Sequence, residues 1–255
     1  MTDPTAAANL HLAVGDGRLR RKSSAWSSTP PNATDFKAYD ALAIKLESSG
    51  DDADATKHLL HPDVVVRLRA VEIIAKKKPE LLVKDAERLL ASENDQIRYL
   101  VCDALAKAGK SDAKDALTAI LKDPGASKNP NVLRMRAVKA LATYGDASSI
   151  DTIAPFAQSG AYLYGLTSES AKAIHAIGER DPKAKALAIG ALVLAFPQPP
   201  DAGKAASEMA ACKALAKTVH EALEKLTKRK VDFPSDYTVA TREGLSDAWR
   251  KSAAR

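Results

Sequence analysis

Aromatic residues make up only 5% of the 255 positions, and cysteine occurs twice. So little ring volume, beside abundant Ala and Leu, suits close-packed helices rather than sheets, and no stretch shows the strict alternation of a half-buried strand. Cys102 and Cys212 are isolated among Ala and Leu on predicted helix faces. They read as small buried hydrophobes, with a bridge between them left open by sequence. Long apolar runs are missing too: the longest, Ala184–Phe196, is short and contains Lys185, which excludes a helical membrane span. Asn9, His11, Gly15, Asp16 and Gly17 interrupt any apolar stretch near the start, so no secretory signal is read there. The expectation is a cytoplasmic protein, with export after removal of an unseen signal left open.

What the chain does have is a recurrence. Asp63 precedes Arg67, Ala70-Val71 and Ile74; Asp95 precedes Arg98, Val101-Cys102 and Leu105; Asn131 precedes Arg134, Ala137-Val138 and Leu141. Aligned on arginine, the steps are 31 residues (67 to 98) and 36 residues (98 to 134). A fourth copy follows when Leu141 and Gly145 are matched to Ile174 and Gly178, a step of 33 that puts Thr167 where the arginine was. Periods of this size belong to stacked helical hairpins. Each hairpin has an apolar face that it cannot cover alone, so neighbours must stack. Asp63, Asp95 and Asn131 are expected as helix caps.

Hydrophobic-Arg at Val66-Arg67, Ile97-Arg98 and Leu133-Arg134, after an Asp- or Asn-bearing turn, resembles HEAT-like repeats, including the short bacterial variety found in phycobilin lyases. The resemblance covers roughly residues 51–227 with falling fidelity. It implies an all-α fold: a right-handed α-solenoid of about five HEAT-like hairpins with an N-terminal capping helix. It also implies that each repeat arginine bonds to the adjoining repeat, that second helices line a concave face, and that scaffolding is the usual role.

Three regions are expected. Residues 1–33, with two glycines and a Ser/Thr/Pro cluster, read as a flexible basic leader; residues 34–227 as the solenoid; residues 228–255 as a basic tail with a short helix. Within the solenoid a helix from Thr34-Asp35 to Gly50 presents Phe36, Tyr39, Leu42, Ala43 and Leu46 on one face. Five hairpins follow, pairing 52–60 with 63–77, 79–91 with 95–108, 112–122 with 131–144, 148–158 with 167–178, and 182–195 with 202–227. The breaks fall at His61-Pro62, Gly109, Pro124-Gly125, Gly160–Gly165 and Pro197–Pro200.

Net charge is +6, but it is unevenly placed. Residues 1–33 carry four basic and two acidic groups, residues 227–255 carry seven and four, and the remainder is nearly balanced at 27 against 26. One ridge of the second helices runs Arg69, Glu72, Lys76, then Leu100, Asp103, Lys107, then Arg136, Lys139, Thr143, then Glu169, Lys172, Ala176. Six cations against three anions, with no aromatic for base stacking, point to a protein partner more than to nucleic acid. The candidate contact residues are Arg69, Lys76, Lys107, Arg136, Lys139 and Lys172, with Tyr162 and Tyr164 as an aromatic anchor. The rival reading is electrostatic nucleic-acid binding through the basic tails, including Arg18–Lys22.

Catalysis finds little support. His58 and His61 stand three apart at a helix end with no third ligand, and no Gly-rich phosphate cradle is present, so no metal or cofactor is expected. A HEAT-like DNA glycosylase needs aromatics and a carboxylate in a central cleft; here Trp26 and Trp249 lie near the ends, with only Tyr99 and Tyr144 beside Asp103 mid-chain. A lyase rests on repeat similarity alone. The expectation is a non-catalytic scaffold or adaptor.

Overall fold

The computed structural model describes residues 11–14, 17–20, 33–109, 111–125, 127–158, 164–201, 203 and 205–253. They fall into two compact units, residues 1–113 and 114–255.

The first unit contains a small antiparallel hairpin, β1 (His11–Val14) with β2 (Gly17–Arg20), in which His11 lies opposite Arg20 and Val14 opposite Gly17. The sequence reading had no strand. Gly15, Asp16 and Gly17, read above only as interruptions of an apolar stretch, stand in sequence where β1 gives way to β2. The rest of the unit is helical: α1 (Ala33–Ser49), α2 (Asp52–Lys57), α3 (Val64–Lys77), a 3-10 stretch at Pro79–Asp85 running into α4 (Ala86–Leu90), α5 (Asp95–Ala108) and a 3-10 turn at Ser111–Ala113. The single helix expected over 79–91 instead opens as 3-10, with Pro79 at its first turn, where the missing N–H leaves no bond unmade.

Capping sets the hairpin turns. Asp51 accepts from the Ala53 N–H, and Asp63 from those of Val65 and Val66. For α5 the cap is Asn94, which accepts from Ile97 N–H at 3.2 Å, and not Asp95 as the alignment suggested. Gly109 closes α5 with φ 64°, the left-handed backbone that an L side chain resists. The core collects the inward stripe of each helix: Leu46, Val71, Ile74, Leu82, Leu89, Ile97 and Leu105 are all essentially inaccessible. Burying each such side chain favours folding by about 1.5–3 kcal/mol.

The second unit comprises α6 (Lys114–Lys122), α7 (Pro130–Tyr144), α8 (Ala147–Gln158), α9 (Tyr164–Arg180), α10 (Lys185–Leu194), α11 (Ala206–Thr227) and α12 (Val239–Ala253). They form two layers. First helices α6, α8 and α10 pack side by side, as do second helices α7, α9 and α11, and α9 touches partners in both layers. That is the arrangement expected when every hairpin covers its neighbour's apolar face. Pro130 begins α7 directly, and neither Asn129 nor Asn131 caps it through its side chain; Asn131 lies inside the first turn.

Close approach explains two glycines. A Cβ at Gly178 would sit 2.4 Å from that of Ala188, so α9 and α10 meet where a methyl group has no room. One at Gly145 would sit 2.6 Å from the Leu141 carbonyl oxygen. These are the residues that aligned the degenerate fourth copy.

Residues beyond 227 are packed against the repeats. Trp249 is wholly buried, Tyr237 and Leu245 nearly so, and α12 lies against α10. Tyr237 Oη donates to the Pro197 carbonyl at 2.9 Å, Arg242 Nε to that of Phe196 at 3.1 Å, and Ser246 Oγ to that of Val193 at 3.4 Å. The end of α10 and the linker after it are thereby tied down by a segment 40 or more residues later. The expected short helix over 242–253 exists and starts three residues earlier, because Thr238 and Thr241 exchange side-chain hydrogen bonds at its N-terminus.

Candidate functional site

The repeat arginines point inward. Arg67 is fully buried and donates Nη1 to the carbonyls of His61 (2.7 Å) and Pro62 (3.1 Å), the turn of its own hairpin. Burial pushes the guanidinium pKa down, and the charges of Glu93 and Asp63 oppose that shift. Arg98, also buried, meets Asp95 of its own helix at 2.5 Å. Arg134 donates Nε to the Leu121 carbonyl (3.0 Å) and lies over the Phe156 ring, 5.4 Å from its centroid. These hydrogen bonds run within the arginine's own hairpin, while Phe156 and Glu93, which meet Arg134 and Arg67 through ring contact and charge, belong to the next one. For Arg67 and Arg134 the cause is geometric: an arginine one turn into a helix faces the segment that closes the helix before it, where carbonyls are unsatisfied. Thr167, in the fourth copy, is likewise buried.

The ridge faces outward in both units. In the first, Arg69 is the least available of the candidates, its side chain 12% exposed and held by Glu72 (2.6 Å) and Glu47 (3.3 Å). Lys76 and Lys107 are exposed and have no ion partner among the described residues. Of the Lys76–Lys78 run, the other two bind the preceding turn, Lys77 through the Gly50 carbonyl and Lys78 through Asp52 at 2.6 Å.

In the second unit Lys139 lies 3.9 Å from Glu169, which also meets Lys172 at 2.8 Å. Both lysines are at least half exposed. Arg136 is half-buried beside them on α7. The result is a short ladder of alternating sign across α7 and α9 rather than a row of like charges. Tyr162 lies outside the described residues; Tyr164 opens α9, and its side chain lies outside them as well.

Other titratable groups serve packing. The His58 and His61 rings are 5.7 Å apart, with His61 edge-on to Tyr39 and its Nδ1 accepting from the Asp63 N–H. Among the described residues no group of three ligating side chains could hold a metal ion. Cys102 and Cys212 are buried and not bridged to each other, and burial pushes the Cys212 thiol pKa up. His175 is half-buried 3.9 Å from Glu179, and desolvation lowers its proton affinity.

Sequence reasoning missed the aromatic cluster at the end of the second unit. His220, Phe233, Tyr237 and Trp249 pack together there, with Trp249 Nε1 donating to His220 Nδ1 at 3.1 Å. The signal was present in the three aromatics, Phe233, Tyr237 and Trp249, of a segment read as a tail; only tertiary packing relates them to His220.

No described helix is long and apolar enough to cross a membrane. Among curated proteins no match to the chain is found. The family profile described as HEAT repeats matches residues 53–128, a span running from α2 into the loop after α6 and including two of the three arginine-bearing second helices. Residues 53–128 thus carry HEAT-like repeats, and helical hairpins of similar build continue through α11.

Proposed function

We propose that the chain is a non-catalytic interaction module that binds another protein on the concave, solvent-facing side of its second helices. HEAT repeats are commonly protein-interaction scaffolds and are typically non-catalytic. Lys139 and Lys172 about Glu169, with Arg136, form the contact in the second unit; Lys76 and Lys107 contribute in the first. Tyr162 and Tyr164, at the entry to α9 in sequence, add an aromatic anchor.

The observation that carries the reading is the alternation of charge at Lys139, Glu169 and Lys172. A polyphosphate backbone is bound by uncompensated cations that release its counterions, and here a carboxylate sits between the two lysines. Mixed charge of this kind suits a protein surface of complementary pattern, where it sets register and encounter rate more than affinity.

Affinity isolation with the full chain, run in parallel with Lys139→Glu/Lys172→Glu, tests it. A protein retained by the native chain is expected to fall at least about tenfold in the double variant. Equal retention by both, or oligonucleotide binding whose affinity drops by several powers of ten between low and physiological salt, would overturn the reading in favour of the basic ends.

A further inference from the structure

We infer that the docking of α12 is an acid-released latch, in which the His220 imidazole holds the Trp249 indole only while its Nδ1 carries no proton. The inference rests on atoms rather than on the proposed binding role. An indole nitrogen has a hydrogen to give and no lone pair to accept with, so the 3.1 Å contact from Trp249 Nε1 requires a bare lone pair on His220 Nδ1. The ring is therefore neutral, with its hydrogen on Nε2, which faces Glu224 Oε1 at 3.7 Å. Adding a proton can only fill Nδ1, and two N–H groups then point at each other inside the core.

The site gives such a collision no escape. Trp249 is completely buried and His220 only 5% exposed, and the ring is edge-on to Phe233 (centroids 5.2 Å) and Trp249 (5.4 Å). Rotating the imidazole would break ring packing on two sides. The charged groups around it come from its own helix and from the connecting segment. On α11, Glu224 and Glu221 favour the proton, although Glu221 is shared with Lys217 at 3.9 Å. Asp232, between α11 and α12, favours it too. Arg229 is spent on the Ser252 carbonyl, and on α12 Arg250 pairs with Asp247 at 2.8 Å on the exposed side. α10 carries no charged residue after Lys185 at its start. Burial outweighs the three carboxylates and holds the imidazole below its ordinary 6.5.

The stability contributed by this contact is therefore complete above about pH 6.5 and is lost as pH falls from there through the lower folded-state value. What comes loose is local. The ties of α12 run to Val193, Phe196 and Pro197, so its release bares the apolar end of α10 and the linker behind it.

The test uses the full chain carrying Trp26→Phe, which leaves Trp249 as the one tryptophan. The indole N–H resonance and the His220 ring carbon resonance are followed together from about pH 8 to about pH 5. The expected result is loss of the protected indole signal at the midpoint of the His220 titration, with the amides of α7 and α8 still protected. His220→Asn places an uncharged acceptor near the Nδ1 position and is expected to keep the signal to the acid end. Separation of the two midpoints by more than about one pH unit, simultaneous loss of protection in α7 and α8, or equal acid sensitivity in the Asn variant would each overturn the latch. Should that variant fail to fold, coincidence of midpoints in the Trp26→Phe chain alone decides.

Discussion

The two units meet the same demand with different chemistry. In the first, the turn before α3 is held by the buried Arg67 on the His61 and Pro62 carbonyls, Arg98 pairs with Asp95 within α5, and lysines at the end of α3 reach back to Gly50 and Asp52. In the second, Arg134 holds the Leu121 carbonyl, the next copy carries Thr167 in place of the arginine, and Arg180 donates to the carbonyls of Ala142 (2.8 Å) and Gly145 (2.5 Å), with rings beside them: Phe156 under Arg134, and the cluster around Trp249. A repeat frame thus fixes where a turn must be satisfied. It does not fix which side chain satisfies it.

If aromatic closure carries the second unit, the largest effect belongs to Trp249→Ala. We expect about 3–5 kcal/mol lost in urea titration, with hydrogen exchange accelerated first in α10 and α11. A loss below about 1 kcal/mol would reduce the cluster to decoration and erase the contrast. Next comes Arg67→Ala, which removes the donor from the His61 and Pro62 carbonyls and leaves a cavity in place of a fully buried side chain; about 3 kcal/mol is expected, measured in the same way. Should Thr167→Ala cost as much as Arg67→Ala, the two positions would be equivalent after all.

Gly178→Ala tests steric intimacy within the second unit alone. With Ala188 Cβ 2.4 Å from the added methyl, α9 and α10 must part, and about 1–3 kcal/mol is expected by thermal melting. Smallest is the surface pair Lys114–Asp146 at 2.8 Å, half exposed on the carboxylate side. The lysine and the Ser148 hydroxyl hold the Asp146 carboxyl well below the usual carboxylate range. Its contribution is present above the unfolded value of 3.8 and disappears as pH falls below it. Solvent screening limits Lys114→Met to a few tenths of a kcal/mol at about pH 7, and the difference from the native chain should vanish in strong acid.

How far the sequence could be read follows from the range of each interaction. Helix existence, the hairpin breaks at Pro62, Gly109 and Pro124, and the inward stripe of α3 and α5 are local and periodic, so they were legible. The assignment of the cap to Asp95 failed because Asn94 and Asp95 are both good caps, and only backbone geometry selects between adjacent candidates. Lys76, Lys107, Lys139 and Lys172 of the ridge are exposed, but the neutralisation of Arg69 by Glu47 depends on α1 packing beside α3, which no periodicity states. Trp249 was furthest from view: its partner His220 is 29 residues away, across an irregular stretch that gives no repeat to align.

The clamp of Tyr237, Arg242 and Ser246 on the linker after α10 has a consequence for biosynthesis. Residues 239–253 emerge from the ribosome after every helix they cover, so the greasy underside of α10 and α11 stays bare until translation has passed Trp249. A message cut short by even a dozen codons upstream of that point would yield a product that leaves Val193, Phe196 and His220 without their partners and open to proteases, and the cell could dispose of it before a defective copy competed with whole ones.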